Sequence, residues 1–301
     1  MSARGRGRRW LPPGEARLRH RLTSLAAGCC ARGARPYVTV LSSRRGLASF
    51  ASDAPRPRAR GIALVAALLG LLAFPVAASV GANQITVFAA ASLTDVFPKI
   101  DPGQRYSFAG SDQLAFQIQQ GAPADVYAAA SPKYPDQLYA QGLVLKPVVF
   151  ATNKLILLLP ASNPAGITSV FDLQRPGIKL VIGQKGVPIG DYTRTILKNL
   201  GLSSVLSNVV SQETDVKGIV GKVVLGQADA GFVYVTDAKP VAGKVKIVRL
   251  PGWAQPKVKY ELAVVKASHN QAAAQAFVKK VLAKPGRTAL AAAGFGLPKK
   301  P

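Results

Sequence analysis

From about residue 84 onward, short apolar runs of strand length alternate with stretches whose apolar residues recur at helical spacing. That alternation restricts the chain to an α/β architecture. The strand-like runs are 85–89, 106–108, 126–129, 154–159, 179–183, 209–211, 231–234, 245–250 and 260–265. Helical patterns occupy 94–100, 112–120, 132–141, 191–200, 216–225 and 271–282, with a further one near 287–293. Strands that alternate with helices predict parallel βαβ units. Two segments read as crossings between separate bodies: the long extended stretch 148–159, and the return segment 250–260 with its prolines and glycine. A chain that leaves one α/β lobe, builds a second and comes back encloses a cleft, where ligands commonly sit. The expected division is 83–151 with 250–301 for lobe 1, and 152–249 for lobe 2.

The first 82 residues are of another kind. Residues 1–60 hold 14 arginines and no lysine against Glu15 and Asp53, so the formal charge of +25 divides almost evenly between this segment and the rest. Such a composition buries no core, and 1–56 is expected to be a disordered basic extension. Residues 57–82 have the three parts of a secretory signal: Arg58 and Arg60, the apolar run 62–74, then small residues around Ala78 and Ala82. The run is too short for a membrane span of about 20 residues, so cleavage near Ala78 or Ala82 and an exported, extracytoplasmic protein are expected. Met1 is the only methionine and lies far ahead of that signal, which marks residues 1 to about 40 as a start-site artefact. Ser43-Arg-Arg-Gly-Leu47 only loosely matches a twin-arginine export signal. Both cysteines, Cys29 and Cys30, fall in the extension, so packing and not disulfides must stabilise the remainder.

Two strand ends carry the most chemistry. Ile85-Thr-Val-Phe-Ala-Ala-Ala-Ser-Leu-Thr-Asp95 runs an apolar strand into Ser92, and Arg105-Tyr-Ser-Phe-Ala-Gly-Ser111 ends a second strand in Gly-Ser. Each serine is expected to cap a helix, at the carboxyl end of a strand where open α/β sheets bind ligands. Hydroxyls and free N–H groups at the positive end of a helix dipole make a seat for an anion. Catalysis has little to work with. After residue 82 there is no cysteine, His269 is the single histidine, and 218–223 lacks the spacing and the Ser/Thr of a phosphate loop. No Cys/His cluster has metal-ligand spacing, and no aromatic interleaving of the basic residues supports nucleic-acid binding. No enzyme activity, no nucleic-acid partner and a monomer are expected. The lysine-rich remainder reads as a solvated surface whose field speeds the capture of anions.

Six co-linear motifs resemble those of the bacterial molybdate-binding proteins that feed ABC importers. They are Ala90-Ala-Ser-Leu-Thr-Asp95, Ser107-Phe-Ala-Gly-Ser111, Gln120-Gly-Ala-Pro-Ala-Asp125, Gly186-Val-Pro-Ile-Gly190, Asp215-Val-Lys-Gly218 and Gly226-Gln-Ala-Asp-Ala-Gly-Phe-Val-Tyr234. The resemblance implies a type II periplasmic-binding-protein fold, two α/β lobes joined by a two-segment hinge that closes around the ligand. It further implies molybdate or tungstate as ligand without any cofactor, and a membrane permease with its cytoplasmic ATPase as partner. The metal would enter only as the oxyanion. By resemblance, Ser92 and Ser111 donate from the first lobe, Ile189 and Val216 donate backbone N–H from the second, and Tyr234 donates its phenolic O–H. A fully deprotonated tetrahedral dianion offers acceptors only, so a site of donors satisfies it. Binding of another anion, such as sulfate, phosphate or a small organic anion, stays open at this point. Two features depart from the family pattern: the clipped first helix before Tyr106, and Asp112 where a second hydroxyl residue is common.

Overall fold

The computed structural model describes residues 84–298. The expected extension, the signal peptide and its cleavage positions lie outside these residues. The described chain folds into two lobes, each a five-stranded mixed sheet flanked by helices. The first sheet holds β1 (Thr86–Ala90), β2 (Arg105–Ala109), β3 (Val126–Ala129), β4 (Val148–Asn153) and β10 (Val258–Val264) in the order β2-β1-β3-β10-β4. The second holds β5 (Leu155–Pro160), β6 (Leu180–Gly183), β7 (Val209–Glu213), β8 (Ala230–Tyr234) and β9 (Val245–Arg249) in the order β7-β6-β8-β5-β9. In each sheet three strands are parallel and two are antiparallel to their neighbours. The alternation of strands and helices predicts parallel pairing throughout. The antiparallel members are the strands by which the chain enters and leaves each lobe, and they carry no βαβ crossover to impose direction. Lys154 alone separates β4 of one sheet from β5 of the other.

Local sequence explains the elements that matter for the site. Every residue of β5 and of β8 is buried, the mark of interior strands covered on both faces, whereas β7 alternates and lies at an edge. Leu157 is wholly buried in β5, and truncating it to alanine would cost about 2–5 kcal/mol. The helices α2 (Ser111–Gln119), α3 (Lys133–Ala140), α7 (Gln271–Leu282) and α8 (Lys284–Ala293) belong to the first lobe. In the second lobe stand α4 (Pro188–Asn199), α5 (Val216–Val224) and the short α6 (Val235–Ala238). On α5, Val216, Ile219, Val220 and Val223 form one buried stripe at helical spacing. Its start is set by Asp215, whose side chain accepts from the Lys217 and Gly218 N–H groups.

The helix expected over 94–100 is reduced to a 3-10 turn at Ala91–Leu93 and the single turn α1 (Phe97–Ile100). Pro98 is the reason for the missing first turn: it has no N–H to give the Thr94 carbonyl and its ring crowds that turn, so the helix begins only at Phe97 with the proline in its first turn. Pro102 sets the other end, since the residue before a proline is driven out of helical conformation, and Asp101 is extended at φ −149° and ψ 90°. What α1 lacks in length is replaced by aromatic packing. Phe97 lies 5.8 Å from Phe150 and 5.7 Å from Phe277 between ring centroids, and the cluster continues through Tyr260 to Tyr234.

Candidate functional site

Where the two lobes face each other, a cavity of about 210 Å³, counting its mouth, is walled by strand ends on one side and helix starts on the other. The first lobe contributes Ala90 to Ser92 after β1, Ala109 to Ser111 after β2, and Ala130 after β3. From the second lobe come Val187 to Ile189 at the start of α4, Asp215 and Val216 at the start of α5, and Tyr234 at the end of β8. All five residues singled out from the sequence, Ser92, Ser111, Ile189, Val216 and Tyr234, are therefore brought to one wall or another of this cavity. Alanines at the strand ends leave the volume unfilled.

The two serines do not cap helices, contrary to the expectation from sequence. Ser92 sits inside the 3-10 turn, and its Oγ pairs with the Tyr260 hydroxyl at 2.9 Å. Ser111 is the first residue of α2, after Gly110, and its Oγ accepts the Ala130 N–H at 3.1 Å. Both hydroxyls are buried and tied to the tertiary framework, not to their own helix. Ser111, having accepted, keeps its own proton to donate. Tyr234 Oη is buried with no partner among the described residues. Burial, with Tyr260 and other acids nearby, raises its pKa well above the ordinary phenol value, so it stays an O–H donor. An unpartnered buried hydroxyl is costly unless something else satisfies it.

Backbone donors complete the lining. Val216 is the first residue of α5, and Asp215 takes the two N–H groups that follow it, at 2.8 and 3.1 Å, leaving the Val216 N–H for the cavity. Ile189 follows Pro188 in the first turn of α4, where N–H groups have no intrahelical partner. That turn can approach the end of β6 only because Gly190 has no side chain: a Cβ there would run into the carbonyl oxygens of Gly183 and Gln184. Arg194 fastens the same contact from behind, donating Nη1 to the carbonyls of Gly183 and Gly190, each at 2.9 Å.

Among the described residues no lysine or arginine lines the cavity, and Asp215, engaged as a cap, is the only charged one. Asp112 is not part of the wall. It lies in the first turn of α2 beside Gly110, where burial pushes its pKa up while the N–H groups of Asp112 and Gln113 pull it down. A small charge network lies next to Val216 in sequence, around Lys217. Lys217 Nζ lies 2.6 Å from Asp95 Oδ2 and 3.4 Å from Asp237 Oδ1, the latter an ion pair without hydrogen-bond geometry. Burial pulls the Lys217 pKa down, but Asp237 and Asp95 more than offset it.

The lobes touch at the rim. Tyr134 on α3 donates to the Gly186 carbonyl at 2.6 Å, Lys133 pairs with Asp191 at 3.4 Å, and Gly110 abuts the Thr214 carbonyl. The cleft is closed in this form. A closed chamber between two α/β lobes, at the carboxyl ends of parallel strands, suits a small ligand held by donors from both sides.

Comparison with known proteins decides the lineage. The profile of the bacterial extracellular solute-binding protein family matches residues 85–296. The chain belongs to this family. It is similar to the molybdate-binding protein ModA of Mycobacterium tuberculosis, with 42% identity over 234 residues that span 74% of this chain and 88% of the relative. It is also similar to the molybdate-binding protein ModA of Escherichia coli, with 32% identity over 228 residues, 68% of this chain and 87% of that one. The fold is shared with the periplasmic molybdate-binding protein of Azotobacter vinelandii at a TM-score of 0.64 and 22% identity, covering 72% of this chain and 100% of that one.

Reading the sequence did not single out Tyr260, Asn153, Tyr134 or Lys217. Asn153 lies within one expected crossing segment and Tyr260 at the end of the other, where only tertiary structure brings Asn153 to Tyr260 and Tyr260 to Ser92. Lys217 stood inside one of the motifs, but nothing local shows that it reaches Asp95, 122 residues away.

Proposed function

We propose that this protein is an extracytoplasmic receptor that captures molybdate or tungstate and delivers it to the permease of an ABC importer powered by a cytoplasmic ATPase. The observation that carries the reading is the donor-only lining. Two serine hydroxyls, an unpartnered tyrosine hydroxyl and two helix-start amides stand around one chamber with no lysine or arginine among its described lining residues. A doubly negative tetrahedral oxyanion with no proton satisfies all of these groups at once. Ser92, Ser111, Ile189, Val216 and Tyr234 are its ligands in this reading, and the metal is met only through the oxyanion's oxygens. Identity of 42% to a molybdate-binding protein supports the same ligand.

The protein acts as a monomer, performs no covalent chemistry and engages no nucleic acid. Residues 57–82 direct export and are removed near Ala78 or Ala82. Ligand is held between a lobe of 83–151 with 250–301 and a lobe of 152–249, which rotate about the paired crossings.

The test is a calorimetric and thermal-shift panel with molybdate, tungstate, sulfate and phosphate. At 100 times its Kd the cognate ion should add about 2.7 kcal/mol of stability. Stabilisation by molybdate or tungstate above sulfate supports the reading. Stabilisation by phosphate alone would transfer it to a receptor for another anion.

A further inference from the structure

We propose that Tyr260 and Asn153 are specificity-determining positioning residues, which fix the direction of hydrogen bonding at Ser92 so that this serine faces the cavity as a donor only. The inference rests on the reading of Ser92 as a ligand to the oxyanion and adds the device that makes it selective.

The direction follows from a chain of bonds that begins at the crossing between the lobes. Asn153 ends β4, and its Oδ1 accepts the Lys154 N–H at 2.9 Å. Turning the amide over would set an NH2 against that N–H, so Nδ2 is the end that points inward. There it donates to Thr236 Oγ1 at 2.9 Å and approaches the Tyr260 hydroxyl at 3.5 Å. Tyr260 Oη thus has two hydrogen-bonding neighbours among the described residues, an amide that can only donate and Ser92 Oγ at 2.9 Å, while Asp237 acts on it through its charge without a hydrogen bond. The phenolic proton goes to the sole acceptor, Ser92. Having accepted, Ser92 keeps its own proton for the cavity.

All four residues are buried, so water does not scramble the order. Burial also raises the Tyr260 pKa well above the ordinary phenol value, which keeps the proton in place. The ring is held by Phe150, Tyr234 and Phe295, at centroid distances of 6.0, 5.8 and 5.3 Å, independently of its hydroxyl. A serine whose own proton is turned into the cavity by that bond presents a donor, not a lone pair, to the ligand. A protonated anion such as hydrogen phosphate then meets donor against donor, whereas a fully deprotonated one does not.

Tyr260→Phe removes the hydroxyl and leaves the ring, so a melting temperature near that of the wild type serves as the control for folding. Competition titrations against molybdate would be run with sulfate, which carries no proton, and phosphate, which does. In Tyr260→Phe the Ser92 hydroxyl is free to turn. Phosphate should then gain about tenfold relative to molybdate, with the sulfate-to-molybdate ratio unchanged. Asn153→Asp offers the Tyr260 hydroxyl a competing acceptor and should move the phosphate ratio the same way. An unchanged phosphate ratio in Tyr260→Phe, while Ser92→Ala weakens molybdate binding, would overturn the inference and leave the functional reading standing. Wild-type protein that binds no molybdate would overturn both.

Discussion

Gly110 and Thr214 meet across the cleft so closely that a Cβ on Gly110 would run into the Thr214 carbonyl oxygen. Gly110 has φ −59° and ψ 139°, which any residue can adopt, so the backbone that bars a side chain is that of the opposing lobe, and within its own lobe a Cβ would meet only the movable Asp112 carboxyl. Gly110→Ala should fold normally and resist closure. With an overpacking cost of about 1–3 kcal/mol confined to the closed form, molybdate affinity should fall roughly 5- to 150-fold. Calorimetry together with the melting temperature of the ligand-free protein checks this. A variant that melts early would place the contact in the fold and not in closure.

Tyr134→Phe deletes the cross-lobe bond to the Gly186 carbonyl and keeps the ring, over which Lys133 Nζ lies 4.9 Å from the centroid. A net hydrogen bond contributes about 0.5–1.5 kcal/mol, and here it exists only when the lobes are together. Dissociation of ligand should accelerate about 2- to 10-fold with little change in association, as stopped-flow measurements would register.

Ser111→Ala removes the hydroxyl proposed to donate to the ligand and also strands the Ala130 N–H. Hydrogen bonds to a charged partner contribute about 1.5–3 kcal/mol, so affinity should drop by roughly one to two orders of magnitude. Ser92→Ala should act similarly. Affinity unaltered in both variants would remove these residues from the site.

Asp237 supplies a pH dependence of stability. Burial pushes its pKa from 3.8 up to about 6, with Lys217 opposing the rise. A carboxyl that holds its proton more tightly when folded favours the native state at low pH. That advantage is complete below the unfolded value and is lost as pH rises through about 6. The shift corresponds to about 3 kcal/mol at most across that window. Urea unfolding at intervals from pH 4 to 7 should show Asp237→Asn gaining on the wild type as pH rises. A constant difference would dismiss the assignment.

Much of this molecule is legible before any coordinates. The alternation of apolar runs anticipates two α/β bodies, and the motifs around Ser92, Ser111, Ile189, Val216 and Tyr234 name residues that the fold gathers on one cavity. Less legible is how they are held. Local pattern suggests that a serine after a strand caps the next helix, yet Ser92 and Ser111 bond to Tyr260 and to the Ala130 amide, partners distant in sequence. Tertiary competition for a hydroxyl leaves no local trace. Strand direction was partly hidden for the same reason: periodicity reports burial and says nothing of whether a neighbour runs parallel. The shortened first helix, by contrast, could be read directly from Pro98, which bars the helical bond back to Thr94.

The single residue between β4 and β5 has a mechanical consequence. With both sheets anchored immediately on either side of Lys154, bending has almost no slack chain over which to spread. Each lobe must swing as a solid door, its cargo gripped or let go by a few torsions at the doorpost while the panels keep their shape.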